Sequence, residues 1–305
     1  MSNIDISAEL IENARGPGAG GVAPQPPRNP SVLHALLRDP GAIAGLLILG
    51  LIVAMALLAP WLRPGDPLAL SGPSLLWPGQ DMAYPLGTDN MGRDVLAGVL
   101  HGARVSLVVG VAATALGVAG GVLVGAVAGY FGGRIDTLIV RGIEIFQTIP
   151  GFVLLVVLIA VIQPSIWTVI LGIALTSWDT IARLSRAEFR SLRQSEFVQA
   201  ARATGFGNTH IILREIFPNA LPPLVVTASI MVASAILSES ALAFLGLGDP
   251  NTVSWGSMIG TGREFVRTHW YLSALPGAFI VATVFALNLI GDALNDALNP
   301  RLRRR

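Results

Sequence analysis

Long runs without a charged residue dominate the pattern of this 305-residue chain. A helix that crosses a membrane needs about 20 apolar residues, and several of these runs reach or exceed that length. The run 145–178 is too long for one crossing, and Gln163-Pro164-Ser165 divides it into a helical hairpin. The pattern predicts an all-α polytopic membrane protein with six transmembrane helices. The runs are 41–62, 105–133, 145–178, 220–238 and 271–291.

The polar segment between the fourth and fifth predicted spans has its own helical pattern. Phe197, Ala200, Ala201 and Thr204 follow the spacing of an α-helix. Gly205 stands where a helix C-terminus favours a residue with positive φ. The small side chains at this corner would let another protein approach the backbone closely.

A second short helix is predicted after the corner. Asn208 or Thr209 can cap it, and Pro218, Pro222 and Pro223 are predicted to end it. An ordinary amphipathic connector on a membrane surface would show the same pattern. The apolar positions that share one face are Ile212, Leu213, Ile216 and Phe217.

Four glycines recur every fourth residue in the second span: Gly117, Gly121, Gly125 and Gly129. Small residues at this spacing let two helices pack closely inside lipid. We interpret them as a packing seam, either within this chain or toward a partner subunit.

Three polar residues fall in or at the ends of predicted spans: Asp179, Glu239 and Asn288. A carboxylate at the bilayer centre costs about 2.5–3.5 kcal/mol on insertion scales, so it should face protein or water. A structural hydrogen bond is one interpretation, to Ser238, Ser240 or another helix for Glu239; a place on a translocation path is the other. Arg183 is spaced to pair with Asp179 along a helix.

Composition narrows the function class. Hydrophobic residues make up 52% of the chain and charged residues 13%. All 20 basic residues are arginine, so the phosphate-binding loop Gly-x-x-x-x-Gly-Lys cannot occur, and any ATP must be hydrolysed by another subunit. The net charge of +1 gives no nucleic-acid signal. Four dispersed histidines, no cysteine and no nucleophile motif predict no enzymatic activity, metal or cofactor.

Arginine distribution predicts the orientation. With six spans and the N-terminus inside, 15 arginines lie on the inner side and five on the outer side. The positive-inside rule then places both termini and the loop 183–218 in the cytoplasm. The Gly- and Pro-rich residues 1–30 are predicted to be a flexible cytoplasmic tail, and residues 293–305 a basic cytoplasmic tail.

The 196–218 segment resembles the coupling loop of ABC importer permeases, which docks in a groove of the ATPase subunit. The matching positions are Ala200-Ala201, Gly205 and Pro218, whereas Gln199, Glu215 and Phe217 replace the Glu, Ile and Leu of the pattern. The resemblance implies a docking role for Gln199, Ala200, Ala201, Arg202, Thr204, Gly205 and Phe206.

Further segments resemble the DppC/OppC-type permease subunits of dipeptide and oligopeptide importers. One is Pro85-Leu-Gly-Thr-Asp89-Asn-Met-Gly92-Arg93-Asp94. Its acids would suit a cation site, but its glycines and Arg93 favour a tight structured loop. The others are 238–248, Ser254-Trp255-Gly256 and 288–301.

The resemblance implies a type I ABC importer transmembrane domain. It assigns 31–101 to a peripheral first helix with an external loop, and 102–292 to the permease domain. The implied assembly lies in a bacterial inner membrane and contains a second homologous permease subunit, two ABC ATPase subunits and an extracellular solute-binding protein, docked on 85–104 and 249–271. The implied cargo is a peptide that crosses a pore of which this chain forms half.

Other functions remain open at this point. Permeases of the same class carry nickel chelates or glutathione-like or haem-like cargo. An ATP-independent secondary transporter would show repeated halves with broken helices, and no such repeat is evident. An intramembrane enzyme would need a nucleophile and base within the spans, which the histidine positions do not offer.

Overall fold

The computed structural model describes residues 36–298, which fold into helices joined by loops, with two isolated β-bridges and no strand. The predicted all-α fold class is confirmed. The tail predicted at 1–30 lies outside the described residues, and α9 extends into the tail predicted at 293–305. The helices are α1 (Pro40–Leu62), α2 (Val95–Phe131), α3 (Gly133–Phe146), α4 (Gly151–Ile162), α5 (Ile166–Leu192), α6 (Glu196–Ala203), α7 (Asn208–Phe244), α8 (Trp255–Gly262) and α9 (Tyr271–Leu298).

Four described helices, α1, α2, α7 and α9, are long and apolar enough to cross a membrane. Helices α3 and α4 would add a fifth crossing if the pair is one span bent by 76°. Helix α5 begins inside the predicted fourth span but continues past Trp178 into a charged half that ends at Leu192. The predicted number of six transmembrane helices is therefore not confirmed.

The break predicted at Gln163-Pro164-Ser165 is confirmed. Helix α4 ends at Ile162, Gln163 has φ +84°, and the Ser165 hydroxyl caps α5. The first helix of this hairpin was predicted to begin at residue 145. It begins instead at Gly151, because a separate amphipathic helix, α3, precedes it. Consecutive glycines with positive φ, Gly132 and Gly133, end α2 and reorient the chain into α3.

The glycine seam of α2 packs against α5 of the same chain. A Cβ atom at Gly121 would lie 2.5 Å from the carbonyl oxygen of Trp178, and one at Gly125 would lie 2.3 Å from that of Ala182. Gly117 faces Ser177, and Gly129 faces the carbonyl oxygen of Arg186 at 2.5 Å. The backbone of α5 therefore occupies the space that side chains at these positions would need.

The loop 63–94 is tight and structured, as predicted. Gly87 and Gly92 have φ of +78° and +80°, and a Cβ on either would lie 2.1 Å from a backbone carbonyl oxygen. The Tyr271 hydroxyl at the start of α9 donates to the carbonyl oxygens of Leu76 at 2.6 Å and Thr88 at 2.9 Å. These bonds hold the loop against α9.

Helix α1 packs on the outside of the other helices, mainly along α9. A Cβ at Gly45 would lie 2.8 Å from the carbonyl oxygen of Ala286. The central apolar cluster is formed instead by α2, α4, α5 and α7, with Ala113, Ile159, Ile170 and Leu242 among its buried members.

Candidate functional site

The candidate site is the corner between α6 and α7, residues 196–210. Helix α6 ends in a Schellman motif: the Phe206 N–H donates to the Ala201 carbonyl at 3.1 Å, and the Gly205 N–H donates to that of Arg202 at 3.0 Å. Gly205 has φ +86°, the left-handed conformation predicted for this position. The glycine thus closes α6 and turns the chain toward α7.

One face of α6 is buried against its own chain. Val198 is fully buried and Ala201 is only 8% exposed. Both belong to an apolar cluster with Phe189 of α5 and with Ile211 and Ile216 of α7. Ala201, predicted as a docking residue, is therefore occupied by contacts within this subunit.

The opposite face of the corner is uncovered in this chain. Ala200 and Ala203 are exposed, as are Gly205 and Gly207, and Phe206 is 49% exposed. No atom lies within 4 Å of the place where a Cβ would stand on either glycine. We call Ala200, Ala203, Gly205, Phe206 and Gly207 the open face of the corner.

Polar side chains of the corner bond to one another and to neighbouring segments of the chain. The Arg202 guanidinium lies 5.7 Å from the centroid of the Tyr130 ring, whose hydroxyl donates to Asn208 Oδ1 at 2.7 Å. Thr204 Oγ1 donates to the Ala201 carbonyl at 2.9 Å, and Gln199 Nε2 donates to that of Gln194 at 3.1 Å. These contacts tie the corner to α2 and to the residues that follow α5.

The predicted second short helix is wrong in its length and its cap. A single continuous helix, α7, begins at Asn208, and its residues Ile211–Ile216 are π-helical. Gly207 holds the N-cap position, with no side-chain cap from Asn208 or Thr209. Pro218 follows the π-helical segment and lies inside the continuous α7 rather than ending it.

Pro222 and Pro223 lie inside α7 rather than ending it. They lie just beyond the π-helical segment. The prolines therefore do not separate the corner from the membrane-crossing part of α7.

Asp179 is buried in α5, but its partner is not the predicted one. Gln147, after α3, donates a short hydrogen bond to the Asp179 carboxylate. Arg183 donates at 3.2 Å to the other end of the same amide, Gln147 Oε1. No ion pair joins Arg183 and Asp179 within residues 36–298, so the predicted i, i+4 pair is wrong.

Glu239 is buried in α7, with 4% of its surface exposed. Ser106 of α2 donates to its Oε2 at 3.2 Å, and Ser240 donates at 3.3 Å. Asn288 of α9 is exposed, and its side chain makes no hydrogen bond within the described chain. The residues predicted for a translocation path thus share no partner, and that assignment stays a prediction.

An ion pair that the sequence did not indicate braces the base of the corner. Arg186 of α5 forms a bidentate pair with Asp136 of α3, with Nη2 to Oδ2 at 2.7 Å. Fifty residues separate the two in the chain, and no local spacing relates them. The fold, rather than local sequence, brings the two side chains together.

Comparison with known proteins identifies the family. Residues 121–304 match the family described as binding-protein-dependent transport system inner membrane component. The chain belongs to this family. Residues 31–81 also match the N-terminal transmembrane domain of oligopeptide transport permease C. These matches confirm the family resemblance noted from the motifs.

Curated relatives agree with this membership. The di/tripeptide transport system permease protein DppC of Pseudomonas aeruginosa is 38% identical over 88% of this chain and 91% of its own length. The dipeptide permease DppC of Haemophilus influenzae is 36% identical over 88% of this chain and 92% of its own. That of Bacillus subtilis is 37% identical over 88% and 84%.

The fold also matches solved structures. A chain of the MetNI methionine ABC transporter, in inward-facing conformations, superposes with a TM-score of 0.55 at 19% identity. It covers 66% of this chain and 96% of its own length. At this identity the match shows a shared helical architecture.

Proposed function

We propose that the chain is the permease subunit of an ATP-driven importer of dipeptides or oligopeptides, and that the corner at 196–210 docks with the ATPase. Two ATPase subunits, a second permease subunit and an extracellular solute-binding protein complete the proposed assembly. The peptide cargo is suggested by the names of relatives that are 36–38% identical over most of the chain. This chain supplies half of the pore wall and performs no bond chemistry.

The open face of the corner is the observation that carries the docking proposal. Its small residues leave backbone accessible where nothing in this chain covers it, while the buried face anchors α6 to α5 and α7. A rigid corner with one uncovered small-residue face suits packing against a groove in a partner. We place this corner on the cytoplasmic side, as the arginine distribution favours.

The continuity of the corner with α7 suggests how the signal travels. Val198 and Ala201 of α6 pack on Ile211 and Ile216 of α7, which is one continuous helix. A displacement of α6 would therefore also displace α7. ATP binding to the partner subunits would then favour one of two arrangements of the helices over the other.

The test is ATP-dependent uptake of a dipeptide by the complete complex in liposomes. We expect Ala200→Trp to abolish uptake and to weaken co-purification of the ATPase, because the ring would fill the groove-facing surface. Ala200→Ser keeps the side chain small and is the matched control, expected to transport normally. Undiminished uptake by Ala200→Trp would contradict the docking role, and an inactive wild-type complex would contradict the peptide cargo.

A further inference from the structure

A second site is suggested by a cavity of about 360 Å³ between the loop 63–94, the turn after α7, and α8. Small-molecule sites have volumes of about 300–1,000 Å³, so the cavity is large enough for a small ligand. Its walls carry charges of both signs. These are the guanidinium groups of Arg93 and Arg263 and the carboxylates of Asp89, Asp94 and Asp249.

The carboxylates of the cavity already have partners within the chain. Asp94 lies 3.4 Å from Arg63, a residue outside the cavity wall, and Asp249 Oδ2 accepts the Ile166 N–H at 3.1 Å. Each carboxylate is therefore held in place by fixed donors while keeping unused lone pairs. The remaining bonds are Met91 N and Arg93 N to Asp89 Oδ1, Leu96 N to Asp94 Oδ1, and Asn251 N to Asp249 Oδ1, each at 2.8 Å.

The guanidinium groups of Arg93 and Arg263 have fewer hydrogen-bond partners than these carboxylates. Arg93 Nε is buried and has no hydrogen-bond acceptor within the described residues. Arg263 reaches only the Phe244 carbonyl, at 3.5 Å, and lies over the ring of the same residue. Neither arginine has a carboxylate within ion-pair distance in the described chain. A buried donor without an acceptor is costly, which favours an anion supplied from outside.

We infer that this cavity binds a peptide cargo by its two termini, with Arg93 and Arg263 donating to the terminal carboxylate. Guanidinium groups bind carboxylates through strong, charge-assisted hydrogen bonds. Asp89 and Asp249 accept from the terminal ammonium with their unused lone pairs. Such a site recognises the parts that all peptides share and leaves the side chains free. The inference rests on the proposed function and names a cargo contact within it.

The mixed charge of the cavity favours a zwitterion over an acidic side chain from a docked protein. An acidic side chain would satisfy the arginines but would also face three carboxylates with no positive group to offer them. A dipeptide brings one charge of each sign. Each of its charged ends can therefore find partners of the opposite sign in the lining of the cavity.

The test is equilibrium binding of radiolabelled dialanine to the purified permease–ATPase complex without the solute-binding protein. We expect unlabelled dialanine to compete at least tenfold better than dialanine amide, which lacks the carboxylate charge. Arg93→Gln and Arg263→Gln should each weaken dialanine binding at least tenfold. Arg267→Gln, an exposed arginine nearby that does not line the cavity, should leave binding unchanged.

Two results would overturn this inference: equal competition by the amide, or dialanine binding that both cavity variants retain. Weaker binding of the empty solute-binding protein to Arg93→Gln, with dialanine binding unchanged, would also overturn it and assign the cavity to protein docking. ATP-dependent dialanine uptake by the wild-type complex is measured in parallel. Intact uptake without cavity binding refutes this site alone, whereas absent uptake refutes the proposed function.

Discussion

The α2–α5 seam and the α6 corner both use small residues, but for opposite reasons. In the seam, the backbone of α5 lies 2.3–2.5 Å from where a Cβ would stand on Gly121, Gly125 or Gly129. At the corner, no atom lies within 4 Å of the same position on Gly205. The first set is small because this chain fills the space. The second set leaves space that the proposed ATPase partner fills.

The largest effect is expected in the seam. Gly121→Leu should separate α2 from α5, because overpacking costs about 1–3 kcal/mol or more and no void exists to absorb the side chain. The measurement is the midpoint of thermal unfolding in detergent. Gly120→Leu is the matched control, since a Cβ there meets nothing within 4 Å. Equal stability of the two variants would remove the distinction between filled and open positions.

The corner offers the same contrast between two adjacent alanines. Ala201→Trp should lower the unfolding midpoint, because Ala201 is 8% exposed and packs on Phe189 and Ile216. Ala200→Trp should leave that midpoint unchanged while abolishing ATP-dependent uptake. Loss of stability in both variants would mean that the exposed face is also structural.

The features that the sequence could predict are those set by local patterns of residues. Uncharged runs located the long helices, and the four-residue glycine spacing located the seam, because both are local patterns. The left-handed conformation of Gly205 was also predictable from its place after a helical segment. Each of these features depends on residues that are near one another in the chain.

Features set by distant residues were missed or wrong. Arg183 was expected to pair with Asp179 along one helix, but Gln147 lies between them in space and bonds to both. The prolines after the corner were predicted to end a short helix, although all three lie inside the continuous α7. Ala201 looked equivalent to Ala200 until the packing against α7 separated the two. Tertiary contacts decided each case.

Glu239 and Asn288 give a similar comparison between a buried and an exposed polar side chain within the helices. Glu239→Leu should lower stability by about 1–3 kcal/mol, because it leaves the Ser106 and Ser240 hydroxyls buried without their acceptor. Glu239→Gln retains an acceptor and should be close to wild type. Unfolding midpoints measure both. A stable Glu239→Gln complex with strongly reduced uptake would instead favour the translocation path.

Asn288 is the open counterpart of Glu239. Its side chain is exposed and makes no hydrogen bond in the described chain. Asn288→Leu should therefore leave the stability of the isolated subunit unchanged. If it lines the path, the same variant should reduce uptake several-fold in the assembled complex. Unchanged uptake would remove Asn288 from the predicted path.

A modest loss of stability is expected at Gly205. Gly205→Ala meets no neighbouring atom, but its φ of +86° strains a residue with a Cβ by roughly 1–2 kcal/mol. Gly207→Ala is the matched control, with equally open surroundings and φ −71°. Thermal unfolding should show a modest loss for the first and none for the second. A loss in both would mean that the space itself matters in the isolated subunit.

Site-specific cross-linking tests the docking claim most directly. The chain contains no cysteine, so Ala200→Cys introduces a single thiol on the open face, and Ala187→Cys places one on an exposed site of α5 outside the corner. With a short thiol–amine cross-linker and the assembled complex, we predict a product between the Ala200→Cys subunit and the ATPase, and none from Ala187→Cys. An Ala200→Cys thiol that labels freely with a soluble maleimide in the intact complex, with no ATPase product, would contradict the account.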